Sequence, residues 1–229
     1  DITIKASMLD DEGVIGTYTE GYLDDEGFIF TADTLISMTD AGARLESASG
    51  DISLLAESTL TIEEDGFSLS SFNIAFAIGI SNAGVNISNG VIDANGNLSI
   101  EAKSTVTSTL TTEAEGGESD DSTDAAVASA ILFSSPVVTI SGGDIDAGGN
   151  ASIKATNTVT ANTTADGTDG DMGGTVAFNL LLGGTSATVS GGTIDADAVT
   201  IQASSDRTAN ATSKATAGGA NESGDGSNE

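Results

Sequence analysis

Val199-Thr200-Ile201-Gln202-Ala203 is the fifth writing of one short phrase, and that repetition constrains the fold more than any other feature of the chain. The earlier copies are Ile2-Thr3-Ile4-Lys5-Ala6, Ile52-Ser53-Leu54-Leu55-Ala56, Leu98-Ser99-Ile100-Glu101-Ala102 and Ala151-Ser152-Ile153-Lys154-Ala155. Positions one and three are apolar, with Ala151 the smallest; position two is Ser or Thr and position five is Ala. The third positions lie 50, 46, 53 and 48 residues apart. A period of that size is the signature of a repeat architecture.

Within a repeat the residues read as strands. Leu98, Ile100, Ala102, Ser104, Val106, Ser108 and Leu110 alternate with Ser99, Glu101, Lys103, Thr105, Thr107 and Thr109. Period two of this kind marks a strand with one face turned inward. An acidic tip follows at 116–121, and then an apolar return strand with Val127, Ser129, Ile131 and Phe133 on one parity. Equivalent residues recur in the neighbouring repeats: Ile74, Val127 and Val176; Ile78, Ile131 and Leu180; Ile80, Phe133 and Leu182. After a Gly corner come Ile92, Ile145 and Ile194, each followed by Asp and Ala.

One such unit cannot bury two thin apolar faces by itself, whereas stacked units pair each strand with its equivalent. The expected fold is therefore an all-β parallel β-solenoid (β-helix) of about 50 residues per coil. Each coil is expected to hold two long strands and a short one, with the right-handed sense usual for parallel crossovers. The whole chain, 1–229, reads as a single repeat region with approximate coils 1–50, 51–96, 97–149, 150–198 and an incomplete 199–229, and both ends read as cuts within a longer polypeptide. Antiparallel hairpins in a sandwich are the alternative; they leave the match between successive units unexplained.

Composition narrows the function. The 35 acids against six Lys and Arg give a net charge of −29. Such a polyanion repels nucleic acid and is not drawn to anionic lipid. No stretch approaches the roughly 18 apolar residues of a membrane span, so no membrane insertion is expected. Without Cys or His, thiol nucleophiles, disulfides and imidazole chemistry are missing.

The run Val138-Thr139-Ile140-Ser141-Gly142-Gly143-Asp144-Ile145-Asp146-Ala147-Gly148-Gly149-Asn150-Ala151-Ser152-Ile153, repeated at 85–100 and more loosely at 187–201, carries a family likeness. It resembles the β-helical repeats of filamentous-haemagglutinin-type adhesins and giant bacterial surface proteins. The resemblance covers most of residues 51–203 and bears on the fold more than on any activity. The expectation that follows is a structural, non-enzymatic segment of an extracellular or cell-surface filament, stalk or large adhesin. A ligand-binding module is the second possibility and a polysaccharide-active enzyme a distant third.

Three sets of residues stand out as candidate sites. Asp93, Asp146 and Asp195 form an acid column, with calcium the candidate cofactor; the acidic tips at 10–12, 24–26, 118–124 and 166–171 are further candidates, and all of these equally suit a hydrated stripe or loop. Thr105, Thr107 and Thr109 align with Thr158 and Thr160 and with Thr208, giving a hydroxyl lattice for contact with a cell-surface glycan or another regular surface; Thr is also a good strand former on any exposed face. Ala75, Gly79, Ala128, Leu132, Ala177 and Leu181 fall on the return strand's other parity. They are expected to face outward as a contact for self-association, or to lie under a neighbouring segment of the same polypeptide.

Overall fold

The computed structural model describes residues 2–10, 29–69, 72–114, 125–168 and 174–215. Among them the regular structure is entirely β. In chain order the strands are β1 (Ile2–Asp10), β2 (Ile29–Met38), β3 (Arg44–Ser47), β4 (Ile52–Asp65), β5 (Phe67–Leu69), β6 (Phe72–Ile87) and β7 (Val91–Ala94). There follow β8 (Leu98–Glu113), β9 (Ala125–Ile140), β10 (Asp144–Gly167), β11 (Gly174–Leu182), β12 (Ser186–Val189) and β13 (Thr193–Ala215).

The repeated phrase sets the pairing. Ile2 lies opposite Ile52, Ile52 opposite Leu98, Leu98 opposite Ala151 and Ala151 opposite Val199, all in parallel ladders. The return strands pair likewise: Ile78 with Ile131, and Ile131 with Leu180. The short β5 is antiparallel to β6.

The expected single solenoid, with two long strands and a short one per coil, is not what forms. The strands separate into two sheets in a near-closed, barrel-like arrangement. The first sheet contains β1, β4, β8, β10 and β13 together with the short strands β3 and β7; the second contains β2, β6, β9, β11, β12 and β5. The difference is clearest at Gly148-Gly149-Asn150, which joins the short-strand residues to the next long strand. The backbone stays extended there, and β10 runs from Asp144 to Gly167 with only a register irregularity between Ala147 and Asn150. In β10 and β13 the short strand is the start of the long one, and in the earlier repeats the separate short strands β3 and β7 lie in the same sheet as β4 and β8, so a repeat contributes to two sheets and has no third side.

The interior between the sheets is divided in two. One apolar cluster is built around Ile52, Leu54, Val85, Ile87, Ile100, Ile140 and Ile153. The other is built around Leu60, Ile62, Val106, Leu110, Leu132 and Val159, facing Ala75, Ala77, Ala128 and Ala130. Each fully buried Ile or Leu contributes roughly 1.5–3 kcal/mol relative to exposure.

A buried polar seam separates the clusters. The Ser58 hydroxyl donates to the Ala32 carbonyl at 2.6 Å and lies 2.6 Å from the Ser81 hydroxyl. Ser81 and Ser104 are 2.7 Å apart, as are Ser104 and Ser134. Ser134 then donates to Asn157 Oδ1 at 2.6 Å, and Asn157 Nδ2 donates back to the Ser134 carbonyl at 3.3 Å. The chain of bonds zigzags between sheets, since Ser58, Ser104 and Asn157 sit on the first and Ser81 and Ser134 on the second. Every member is hydrogen-bonded, as buried hydroxyls must be to avoid a desolvation cost.

Candidate functional site

The two sheets present opposite outer surfaces. On the first sheet the hydroxyl lattice is in register: Thr59, Thr105 and Thr158 share one row across β4, β8 and β10, and Thr61, Thr107, Thr160 and Thr208 share another that extends to β13. Thr109 lies beside Asn162, and Asn162 accepts from Asn210 Nδ2 at 2.9 Å. Thr105, Thr107, Thr158 and Thr160 are half-buried by their row neighbours, while Thr109 and Thr208 are exposed. Rows about 4.8 Å apart, with side chains every second residue, make a flat grid of donors and acceptors. Charged pairs edge it, with Lys103 Nζ 2.9 Å from Glu57 Oε1.

The acid column is also in register. Asp93 lies opposite Asp146, and Asp146 opposite Asp195, with Glu46 opposite Asp93 at the other end. All four are exposed, and Glu46 is ion-paired with Arg44. Among the described residues no group of three or more acids converges closely enough to hold a metal ion. The acidic tips at 10–12, 24–26 and 118–124 lie outside the described residues, apart from the backbone of Asp10, and so do residues 169–171.

Asp166 and Thr168 belong to the one tip described in part. Asp166 Oδ2 is 2.7 Å from Lys214 Nζ, and Asp166 Oδ1 accepts from the Thr168 hydroxyl at 2.7 Å and its N–H at 3.1 Å. Hydrogen bonding from Lys214, then from Thr168, lowers the Asp166 pKa from 3.8 to about 2. A carboxyl depressed on folding stabilises the folded state above its unfolded pKa, and that contribution is lost as pH falls through the folded value. The tip pairing between β10 and β13 is thus expected to weaken between about pH 4 and pH 2. A carboxyl-detected NMR titration should place the Asp166 midpoint near 2, and Lys214→Met should move it back toward 3.8.

The return-strand residues expected outside are inside. Ala75, Ala128 and Leu132 are buried, Gly79 is enclosed, and Ala177 and Leu181 pack on the second apolar cluster. The reason is steric. The first sheet already projects Leu60, Ile62, Val106 and Leu110 into this half of the interior, so the facing strands have room mainly for Ala and Gly. A Cβ on Gly79 would come within 2.9 Å of Ile62 Cδ1 and of Leu132 Cδ2.

The larger side chains consequently point out. Ile74, Ile78, Ile80, Val127 and Ile131 are half-buried, and Phe133 (38%), Phe178 (49%) and Val176 (56%) are exposed. No Asp, Glu, Lys or Arg occurs anywhere in β6, β9, β11 or β12. In a chain of net charge −29 this segregation makes the outer surface over β6, β9 and β11 a contiguous uncharged, largely apolar patch, the kind that marks an interaction face, with Asp33 of β2 at its edge. The legible signal was the absence of charge from 72–87 and 125–140. Reading the bulkier parity as the core obscured it.

Compared with known proteins, the chain matches no family model, no curated protein and no solved structure.

Proposed function

We propose that this chain is a structural segment of an extracellular filament, stalk or large adhesin, built to be lengthened by adding strands at its sheet edges. The observation that carries this reading is the state of the two end strands. β13 is 23 residues long and pairs with β10 alone among the described strands, while β1, at the opposite end of the same sheet, pairs with β4 alone. Both end strands carry the repeated phrase. Regular edges that have no further partner among the described strands are templates for another strand. Its role would be mechanical: length and stiffness in steps of about one strand spacing. The uncharged face would serve lateral packing between such rods.

Negative-stain microscopy over a concentration series tests this. Rods of constant width that lengthen with concentration are expected; discrete particles at every concentration would end the reading. A second reading, adhesion to a cell-surface glycan, rests on the in-register threonine grid. It predicts glycan-array binding that is lost in a Thr107→Val, Thr160→Val double variant.

A further inference from the structure

Four rows of the uncharged face are almost wholly apolar, and their relief is uneven. Each row crosses β6, β9 and β11; Ile74, Val127 and Val176 form the first, and Ile80, Phe133 and Leu182 the last. The only polar side chain among the four rows is Ser129, on the middle strand between Phe76 and Phe178. The face therefore has a notch at Ser129, flanked by two phenyl rings, and a knob at Phe133, which is 38% exposed. Between notch and knob runs the row of Ile78, Ile131 and Leu180. β9 has a strand on either side, so this relief belongs to the middle of the sheet. Every strand in close contact with β9 lies beside it or across the interior, which leaves these rows uncovered by any described strand.

We propose that this face binds the same face of a second copy of the chain, about a two-fold axis lying along the row of Ile78, Ile131 and Leu180. Such an axis runs the facing strands antiparallel and lays β9 on β9. It sets Phe133 of each copy over Ser129 of the other, where the ring fills the notch between Phe76 and Phe178. A two-fold interface requires this self-complementarity, in which one residue meets a second and the second meets the first. The other axis in the plane of the face, along the strands, lays Phe76 on Phe178, Phe133 on Phe133 and Ser129 on Ser129. Knobs then meet knobs, the notch stays empty, and the lining of an empty notch forfeits its contacts.

Size and charge also select a second copy. β6 and β9 are 16 residues long. The face thus measures about 50 Å by about 15 Å, and two copies would cover roughly 1,500 Å² in total, near the size of a standard specific interface. A cationic partner would gain nothing here, since β6, β9 and β11 carry no charge. A copy of net charge −29 can approach another closely only where acids are absent. The inference rests on the lateral packing suggested above for this face, and not on growth at the sheet edges. It adds the partner, the axis and the contacts.

Exchanging knob and notch tests it, in the full chain. Sedimentation velocity up to about 100 µM should show the wild type dimerising. The dimer should be tighter in about 0.5 M salt than in about 0.05 M, because salt screens the repulsion between acidic copies. Ser129→Phe fills the notch and Phe133→Ser removes the knob; each alone is expected to weaken the dimer by at least about 10-fold. The double variant Ser129→Phe, Phe133→Ser sets a knob over a notch again and should recover to within about 3-fold of the wild type. Circular dichroism checks folding, and Phe133→Ala stands in for either single variant that fails to fold. Wild-type-like dimerisation of a folded single variant, or no recovery in a folded double variant, would overturn the pairing. So would a wild type that stays monomeric, which would assign the face to another segment of the same polypeptide. Rods that lengthen with concentration and ignore every variant would overturn the pairing and leave the filament standing. Dimers that respond to the variants but never lengthen would uphold the pairing and end the filament reading.

Discussion

Ala128→Glu is expected to abolish folding, while Phe133→Glu, five residues along the same strand, is expected to leave the protein folded. Ala128 is 0% exposed and faces the first sheet across the narrower half of the interior, with no cation among the side chains of its cluster. A carboxylate there loses its water and gains no partner, a cost of several kcal/mol even after relaxation. A typical domain is stable by only about 5–15 kcal/mol, and the longer side chain must also displace packed neighbours. Phe133 points the other way and is 38% exposed. Replacing it removes some apolar contact along the outer row with Ile80 and Leu182, at a cost of about 1 kcal/mol. Urea denaturation followed by circular dichroism distinguishes the two. The reverse result, with Ala128→Glu tolerated and Phe133→Glu unfolded, would show that the bulky parity is the core.

The second large effect is expected at a corner. Gly142 precedes β10 where the chain passes from the second sheet to the first, directly over the same corner of the previous repeat. A Cβ at Gly142 would lie 2.1 Å from the Ser88 carbonyl oxygen. The obstacle is backbone, which cannot swing aside as a side chain can. The neighbouring Gly143 has φ +96°, so the turn already uses a conformation that favours glycine. Gly142→Ala must therefore push two repeats apart locally. About 3 kcal/mol of destabilisation is expected, which in a chain of this size lowers the melting temperature by roughly 6–12 °C. Gly184→Ala is the control. Nothing lies within 4 Å of a Cβ built there, and a change within about 0.5 kcal/mol is expected. Equal melting temperatures for the two variants would mean that the corners are not stacked as described.

Both experiments bear on what could be read from the amino acids alone. Register was legible, because the phrase at Ile52, Leu98, Ala151 and Val199 repeats with enough identity to pin one alignment, and the ladders follow it residue for residue. The row of Thr107, Thr160 and Thr208 and the column of Asp93, Asp146 and Asp195 followed from that register. The number of sides was not legible. Whether Gly148-Gly149-Asn150 turns or stays extended depends on what lies above and below it, and glycine permits either. Nor was the parity of the return strand: Ile74, Phe76 and Ile78 alternate with Ala75, Ala77 and Gly79, so both faces are apolar. The choice was made by interior width, which a single strand does not encode.

The serine chain through the interior has a consequence for how the molecule assembles. Two facing sheets lined with Ala, Ile, Leu and Val would accept a slide of two residues along the strand axis, because aliphatic side chains of similar shape would meet again. Such a slide would set Ser104 against Leu132 in place of Ser81 and Ser134, and would strand several hydroxyls in a dry interior at roughly 1–3 kcal/mol each. Ser58, Ser81, Ser104, Ser134 and Asn157 therefore behave as an indexing pin. They do little to hold the halves together, but they leave only one longitudinal setting in which the halves can lock.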